Sequence, residues 1–149
     1  MLLKDIYTPD AVCCAPDMHV TDAARLMRDK HVGDVVVVDD PQDERIPLGL
    51  VTDRDIVVGV LAQGLDPAGT TVMSIMRKPV VIASETEDSA DVLTRMRTNG
   101  VRRLPVVNGR GGLVGIVTLD DLLGLIVDEA TSLLQVVNRG QTRERRTRR

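Results

Sequence analysis

The strongest constraint on the fold of this chain is that most of it is one sequence unit written twice. Residues 2–39 align with residues 71–108 at a constant shift of 69 positions, with eight identical pairs. After a polar loop that is three residues longer in the first copy, the shift becomes 66, and the tetrad Gly-x-x-Thr-x-x-Asp recurs at 49–55 and 115–121. A unit of about 60 residues buries too little surface to be stable alone. We therefore expect the two copies to pack against each other.

Each copy predicts a short starter helix, a strand, a helix, two strands joined by a hairpin loop, and a final helix. Val20, Ala23 and Met27 have helical spacing, and the four valines at 35–38 are typical of a strand that is covered on both faces. The sequence therefore predicts an α/β fold, in the α+β sense. It consists of two βαββα units packed sheet to sheet about a pseudo-twofold axis, with one cleft per copy.

The predicted elements define four segments. For the first copy they are a strand at 11–15, a helix at 20–31, a strand at 34–39, a loop at 40–47, a strand at 48–52 and a helix at 53–64. For the second copy they are a strand at 79–83, a helix at 88–100, strands at 102–107 and 113–118, and a helix at 119–137. The predicted segments are a first repeat at 2–62, a linker at 63–70, a second repeat at 71–137 and an Arg-rich, disordered tail at 138–149.

Composition excludes several classes of protein. Tyr7 is the single aromatic residue, so bases cannot be held by the aromatic stacking that single-stranded nucleic-acid binders use. No apolar run is long enough to span a membrane, and no secretory signal is visible, so we expect a cytoplasmic protein. Residues 1–138 carry a net charge of −8, whereas residues 139–149 carry +5.

The repeated motifs identify a family. They are V-x-x-A-A-x-x-M at 20–27, V-G-x-V-V-V-V-D at 32–39, G-L-V-T-D-R-D at 49–55, V-R-R-L-P-V-V at 101–107 and G-I-V-T-L-D-D at 115–121. The chain resembles the cystathionine β-synthase (CBS) domain family over residues 2–127, and the pair resembles the tandem arrangement called a Bateman module. The resemblance implies a disc-like homodimer of two modules, adenosine-type ligands in the clefts, and no catalysis.

The junction between the last strand and the last helix of each copy holds the candidate ligand-binding groups. Thr52 and Thr118 would stand at a helix start, where backbone N–H groups attract phosphate. Asp55 and Asp121 follow one turn later and could accept hydrogen bonds from ribose hydroxyls. The alternative is that Thr-x-x-Asp is only a capping box that satisfies helix N-terminal donors.

Two arginines make the clefts unequal. Arg102 and Arg103 precede a strand, and in the resembling family a basic residue at this place often contacts phosphate. The matching residues of the first copy are Gly33 and Asp34, and an aspartate would repel phosphate. Which cleft each arginine serves stays open, because a side chain can cross the pseudo-twofold axis. Arg54 is interpreted as a solvated charge, although it could also serve the site.

The opening strands are predicted to line the adenine pocket. Val12 and Cys13 would do so in one copy, and Val81 and Ile82 in the other. Plain core packing is the alternative for all four residues, and the two roles are compatible.

The remaining candidate groups point to structural roles. Cys13 and Cys14 alternate across a strand and are interpreted as small buried hydrophobes. His19 and His31 are placed at helix ends or on the surface. The pair Asp120–Asp121 could hold magnesium on a bound nucleotide, but acidity at a helix start explains it equally well.

Three hypotheses follow. The first is a regulatory module that binds AMP, ADP or ATP, with NAD or S-adenosylmethionine as further possibilities, and that acts through dimer packing or an unknown regulated protein. The second is a ligand-free dimerisation module. The third is nucleic-acid binding through the Arg-rich tail, which the sequence favours less because a solvated tail explains the same charges. No cofactor is obligatory, and no nucleophile with its base or metal set indicates an enzyme.

Overall fold

The computed structural model describes residues 1–40 and 44–148. The first copy contains a 3₁₀ helix at Leu3–Asp5, β1 at Thr8–Pro9, β2 at Cys13–Cys14, α1 at Val20–Lys30, β3 at Asp34–Asp39, β4 at Ile46–Thr52 and α2 at Asp53–Ile56, which continues as a π-helical turn over Val57–Leu61. The second copy contains α3 at Val72–Ile75, β5 at Ala83–Ser84, α4 at Ser89–Asn99, β6 at Arg103–Val107, β7 at Leu113–Thr118 and α5 at Leu119–Thr147.

Two sheets carry the fold, which confirms the predicted α+β class. One sheet has the order β2-β3-β4 and the other has the order β1-β7-β6-β5. In both sheets a short parallel strand flanks an antiparallel pair. The opening strands are shorter than predicted, with two paired residues each at Cys13–Cys14 and Ala83–Ser84. The polar loop predicted at 40–47 lies partly outside the described residues, at 41–43.

Each starter helix packs on the other repeat. Leu3 is fully buried in the core of the second repeat, and Val72 is fully buried in the core of the first. Two pairs of bridges repeat this exchange. Leu2 pairs with Asp88, and the equivalent residue Thr71 pairs with His19. Thr8 pairs with Ile116, and the equivalent residue Arg77 pairs with Leu50. These reciprocal contacts at shifts of 69 and 66 residues are what a pseudo-twofold axis produces.

The exchanged segments explain the two glycines of the repeated tetrad. A Cβ atom on Gly49 would lie 2.6 Å from the Met76 sulfur, and one on Gly115 would collide with Tyr7 and the backbone of Thr8. Gly49 and Gly115 are therefore needed for packing between the repeats. They admit the starter segment of the opposite repeat, because any side chain there would displace it.

A third apolar cluster joins the two sheets. Val36, Val38 and Leu113 are buried together, and Cys13 and Leu50 pack against them. The cluster combines residues of both repeats, so burial of the valine faces between the sheets holds the module together.

The last helix does not end where the sequence predicted. It was expected to stop near Val137 and to be followed by a disordered tail, but α5 continues to Thr147. Residues 138–147 contain no proline, and arginine is a good helix former that also favours the negative end of the helix dipole. Within the described residues, none of the helices has the length and apolarity needed to cross a bilayer.

Candidate functional site

Both Thr-x-x-Asp junctions form complete capping boxes. Thr52 lies at the end of β4, its hydroxyl accepts a hydrogen bond from the Asp55 N–H at 3.1 Å, and the Asp55 Oδ2 accepts from the Thr52 N–H at 2.9 Å. Thr118 and Asp121 repeat the arrangement at the end of β7, with distances of 3.2 and 2.8 Å. The capping alternative is therefore real in both copies, and one carboxylate oxygen of each aspartate is committed to it.

The second carboxylate oxygen distinguishes the two junctions. The Asp55 Oδ1 accepts a hydrogen bond from the Arg77 Nε at 3.2 Å. The residue that corresponds to Arg77 in the repeat is Thr8, and among the described residues no donor is bonded to the Asp121 Oδ1. Asp55 is thus an aspartate with an arginine partner, and Asp121 offers a free oxygen.

Arg103 crosses the pseudo-twofold axis to its own counterpart. The Arg103 Nη1 lies 2.7 Å from the Asp34 Oδ1, and the two residues are equivalent positions at the shift of 69. Burial raises the pKa of Asp34 above its ordinary value, and the nearby guanidinium offsets only part of that effect. The expected repulsion between Asp34 and a phosphate is therefore reduced, because Arg103 neutralises part of the negative charge of Asp34.

A cleft of about 330 Å³ opens at Thr52 between the two repeats. Four arginines and one aspartate lie around it. Its lining residues are Leu50, Thr52, Asp53, Arg54, Arg77, Gly100, Val101, Arg102 and Arg103. An adjoining apolar hollow is lined by Leu50, Arg77, Pro79, Val80, Val81, Val101, Arg103 and Pro105. The first repeat therefore supplies the threonine junction, and the second repeat supplies the arginine pair and the apolar wall.

The corresponding space at Thr118 is smaller and less basic. It has a volume of about 210 Å³ and is lined by Arg102, Arg103, Thr118, Leu119 and Asp120. Asp120 occupies the position that Arg54 holds at the other junction, since the two are equivalent at the shift of 66. An anion therefore meets four arginines at Thr52 and two at Thr118, with one aspartate in each place.

The four residues predicted to line the adenine pocket lie in different parts of the structure. Val81 lines the apolar hollow beside the Thr52 cleft. The Ile82 carbonyl accepts a hydrogen bond from the Arg95 Nη1 at 2.8 Å. Val12 packs on the core of the first repeat, and Cys13 packs in the cluster between the sheets. Neither Val12 nor Cys13 lines the cleft at Thr52 or the one at Thr118.

One arginine of the larger cleft, Arg77, was given no role by sequence reasoning. Arg54 was interpreted as a solvated charge that could also serve the site, and it lines the cleft. The signal available for Arg77 was its position, because it follows the second starter helix and has no basic counterpart in the first copy. Its contact with Asp55 joins residues 22 positions apart, a proximity that a single sequence does not reveal.

The cysteines and histidines have structural placements. Burial raises the pKa of the Cys14 thiol to about 11, which keeps it protonated and unreactive at neutral pH. His19 and His31 stand at the two ends of α1. Among residues 1–40 and 44–148, no group of three or more His, Cys, Asp or Glu side chains is placed to hold a metal ion.

Comparison with known proteins gives consistent matches. A family model of the CBS domain matches residues 3–61 and again residues 72–138. An uncharacterized protein of Methanopyrus kandleri is 36% identical over 119 residues, which are 80% of this chain but only 59% of that protein. The chain therefore spans less than two thirds of this relative's length.

Two solved structures share the fold. A CBS domain protein from Pyrobaculum aerophilum complexed with AMP superposes with a TM-score of 0.77 and 25% identity, covering 88% of this chain and 99% of that one. The CBS domain pair of protein MJ0100, in complex with 5-methylthioadenosine and S-adenosyl-L-methionine, has a TM-score of 0.75 and 26% identity, covering 87% and 98% of the two chains.

Proposed function

Since the chain belongs to the CBS domain family and carries two of its domains in tandem, we propose that it is a regulatory module that binds a phosphorylated adenosine ligand in the cleft at Thr52. The observation that carries the proposal is the convergence of Arg54, Arg77, Arg102 and Arg103 beside an apolar hollow. Guanidinium groups bind phosphate through charge-assisted, forked hydrogen bonds. The two solved structures, which hold AMP and S-adenosyl-L-methionine, support an adenosine-containing ligand.

The charge of the cleft favours a nucleotide over S-adenosylmethionine. Arg77 and Arg103 are paired with Asp55 and Asp34, but Arg54 and Arg102 form no ion pair with a described residue. These two arginines attract the negative phosphates of AMP, ADP or ATP, whereas they repel a sulfonium cation. The hollow that Val81 and Val101 line would hold the base between aliphatic side chains, since the chain has no aromatic residue there to stack on it.

Ligand binding requires one ion pair to open. Arg77 is 55% exposed while its partner Asp55 is 13% exposed, so the pair is solvated on the arginine side and inexpensive to break. We propose that Arg77 turns from the Asp55 Oδ1 to the ligand phosphate. The freed oxygen then accepts the ribose hydroxyls, while Oδ2 stays in the capping box.

Thermal unfolding in the presence of ATP, ADP, AMP, NAD, S-adenosylmethionine and inorganic phosphate tests the proposal. A ligand at 100 times its Kd adds about 2.7 kcal/mol of stability, which raises the Tm of a domain of this size by roughly 5 to 10 °C. We expect a nucleotide shift that is lost in Arg77→Ala and Asp55→Ala and retained in Asp121→Ala. Arg25→Ala is the matched control, because Arg25 is an exposed arginine on α1.

A ligand-free interaction module is the second candidate, and the complete capping boxes at both junctions favour it. It predicts no Tm shift with any ligand, and similar losses of about 1 kcal/mol in Asp55→Ala and Asp121→Ala. A homodimer is compatible with both candidates. The exposed Val57, Val58 and Leu61 on the helical turn after Thr52 support self-association, because they form an apolar surface that the described part of the chain leaves uncovered.

A further inference from the structure

The distal part of α5 buries none of its side chains against the repeats. Leu122 is buried in the core of the second repeat, but every side chain from Ile126 to Arg148 is exposed. Most of the stability of a helix in a protein comes from packing one apolar face, and a helix without such packing is marginal in water. No element of the described part of the chain therefore buries this face.

An apolar seam runs along α5. Its residues are Leu123, Ile126, Ala130, Leu133 and Val137. Their spacing of three and four residues is the heptad pattern that lets two helices pack side by side. The four large members of the seam are 50 to 68% exposed. The seam thus has the form of one half of a helix pair.

The charges on α5 specify which helix fits. The half nearer the repeats carries Asp120, Asp121, Asp128 and Glu129, and the far half carries Arg139, Arg143, Arg145, Arg146 and Arg148 against Glu144. None of these side chains forms an ion pair with another described residue. Arg143 follows Arg139 by four positions, a spacing at which like charges destabilise an isolated helix. An acidic partner beside the far half would relieve this repulsion.

We propose that α5 is an interaction surface for the α5 of a second copy of this chain, in antiparallel orientation. A parallel pair would place acid against acid and arginine against arginine, whereas an antiparallel pair places the acidic half of each helix against the basic half of the other. Of the registers that the heptad pattern allows, the one that sets Leu133 opposite Val137 of the partner subunit also places Glu129 beside Arg143 of the partner subunit. Ala130 faces Gly140 of the partner subunit, so the backbones can approach closely.

Disulfide trapping tests the contact and its direction. In a Cys13→Ala, Cys14→Ala background, Leu134→Cys places a thiol beside the seam near the dyad, and Thr142→Cys places one on the opposite face of the same helix. Paired thiols meet at millimolar effective concentration, so at micromolar protein Leu134→Cys should form a covalent dimer on the order of 100-fold faster than Thr142→Cys. Glu129→Arg and Arg143→Glu should each slow the Leu134→Cys reaction, and combining them should restore it.

Any of four results would overturn the proposal. Equal rates at positions 134 and 142, or no dimer at either, would show that the seam is not the contact. Failure of the double charge reversal to restore cross-linking, with normal helicity by circular dichroism, would exclude the antiparallel pair. A Leu134→Cys protein that stays monomeric but binds duplex DNA through residues 138–148 would assign the helix to nucleic acid instead. A dimer built only on Val57, Val58 and Leu61 would also leave position 134 uncross-linked.

Discussion

The ion pair between Arg103 and Asp34 allows the joint between the two repeats to be tested directly. The Asp34 side chain is 15% exposed and that of Arg103 is 33% exposed. Replacing Arg103 by methionine keeps most of the apolar stem of the side chain and removes its charge. The variant therefore leaves a largely buried carboxylate without its cation, which is the costly way to break such a pair.

The size of the effect follows from the geometry. Two unit charges about 4 Å apart attract each other by about 4 kcal/mol at an effective dielectric constant of 20. One third of Arg103 is exposed, and solvent screens part of this attraction. We therefore expect Arg103→Met to lower the free energy of unfolding by about 2 kcal/mol at pH 7, after this screening.

The loss of stability in Arg103→Met should depend on pH. Burial raises the folded-state pKa of Asp34, so the folded chain binds this proton more tightly than the unfolded chain. The stability that Asp34 contributes is then present below its unfolded pKa and is lost as the pH rises through its folded pKa. Removing Arg103 raises the folded pKa further, because the guanidinium is the group that opposes the rise. The deficit of Arg103→Met should therefore shrink as the pH falls and Asp34 becomes protonated.

Urea denaturation followed by far-ultraviolet circular dichroism measures the deficit, and phosphate-free buffer keeps the cleft free of anions. Arg110→Met is the matched control, because Arg110 is 82% exposed in its ion pair with Glu44 and should change stability by less than about 0.5 kcal/mol. The double variant Arg103→Met, Asp34→Asn should be more stable at pH 7 than Arg103→Met alone. Its stability should also lack the pH dependence that the titration of Asp34 causes. A deficit that is the same at pH 7 and pH 4, or equal to that of Arg110→Met, would refute the reasoning.

Two further predictions test the packing. Gly115→Ala should lower the free energy of unfolding by about 1 to 3 kcal/mol, because its Cβ would collide with Tyr7. The control Gly59→Ala has open space around its Cβ and should not destabilise the protein. Urea titration measures both variants, and equal losses would refute the packing of each starter segment on the opposite repeat. Cys13 should react with a thiol reagent at pH 8 in the native protein, whereas Cys14 should react only after unfolding, because burial raises the pKa of the Cys14 thiol to about 11. Mass spectrometry counts the labels, and two labels on the native protein would contradict this prediction.

Local patterns allowed the regular elements to be predicted well. The strands at 34–39 and 113–118 appear with the predicted limits, because valine-rich runs there are bounded by turn residues and by the helix-starting threonines. Helix α4 ends at Asn99 because Gly100 takes a left-handed conformation, with φ of 64°. The opening strands were overestimated, since pairing along β3 and β6 is limited to two residues in each case.

The exchange of the starter helices could not be predicted from one sequence. The repeat shows that Leu3 and Val72 are equivalent, but equivalence does not say which core each residue enters. Arg77 reaches Asp55 only because α3 crosses to the first repeat and forms a bridge at Leu50. Arg77, one of the four arginines of the cleft, could therefore not be predicted, because a long-range contact places it there.

The sequence differences between the copies make the two clefts unequal in charge. At five equivalent pairs of positions the cleft residues diverge in charge: Arg102 against Gly33, Arg103 against Asp34, Asp53 against Leu119, Arg54 against Asp120, and Arg77 against Thr8. Arg54 and Arg77 add positive charge at the Thr52 cleft and Asp120 adds negative charge at the Thr118 cleft, whereas Asp53 opposes this difference and both Arg102 and Arg103 line the two clefts. Because a pseudo-twofold axis brings equivalent positions face to face, the opposite charges of Arg103 and Asp34 can pair directly. We therefore expect an anion that draws Arg103 into one cleft to weaken the pair that joins the two repeats, which would couple occupancy of the cleft to packing of the module through a single guanidinium.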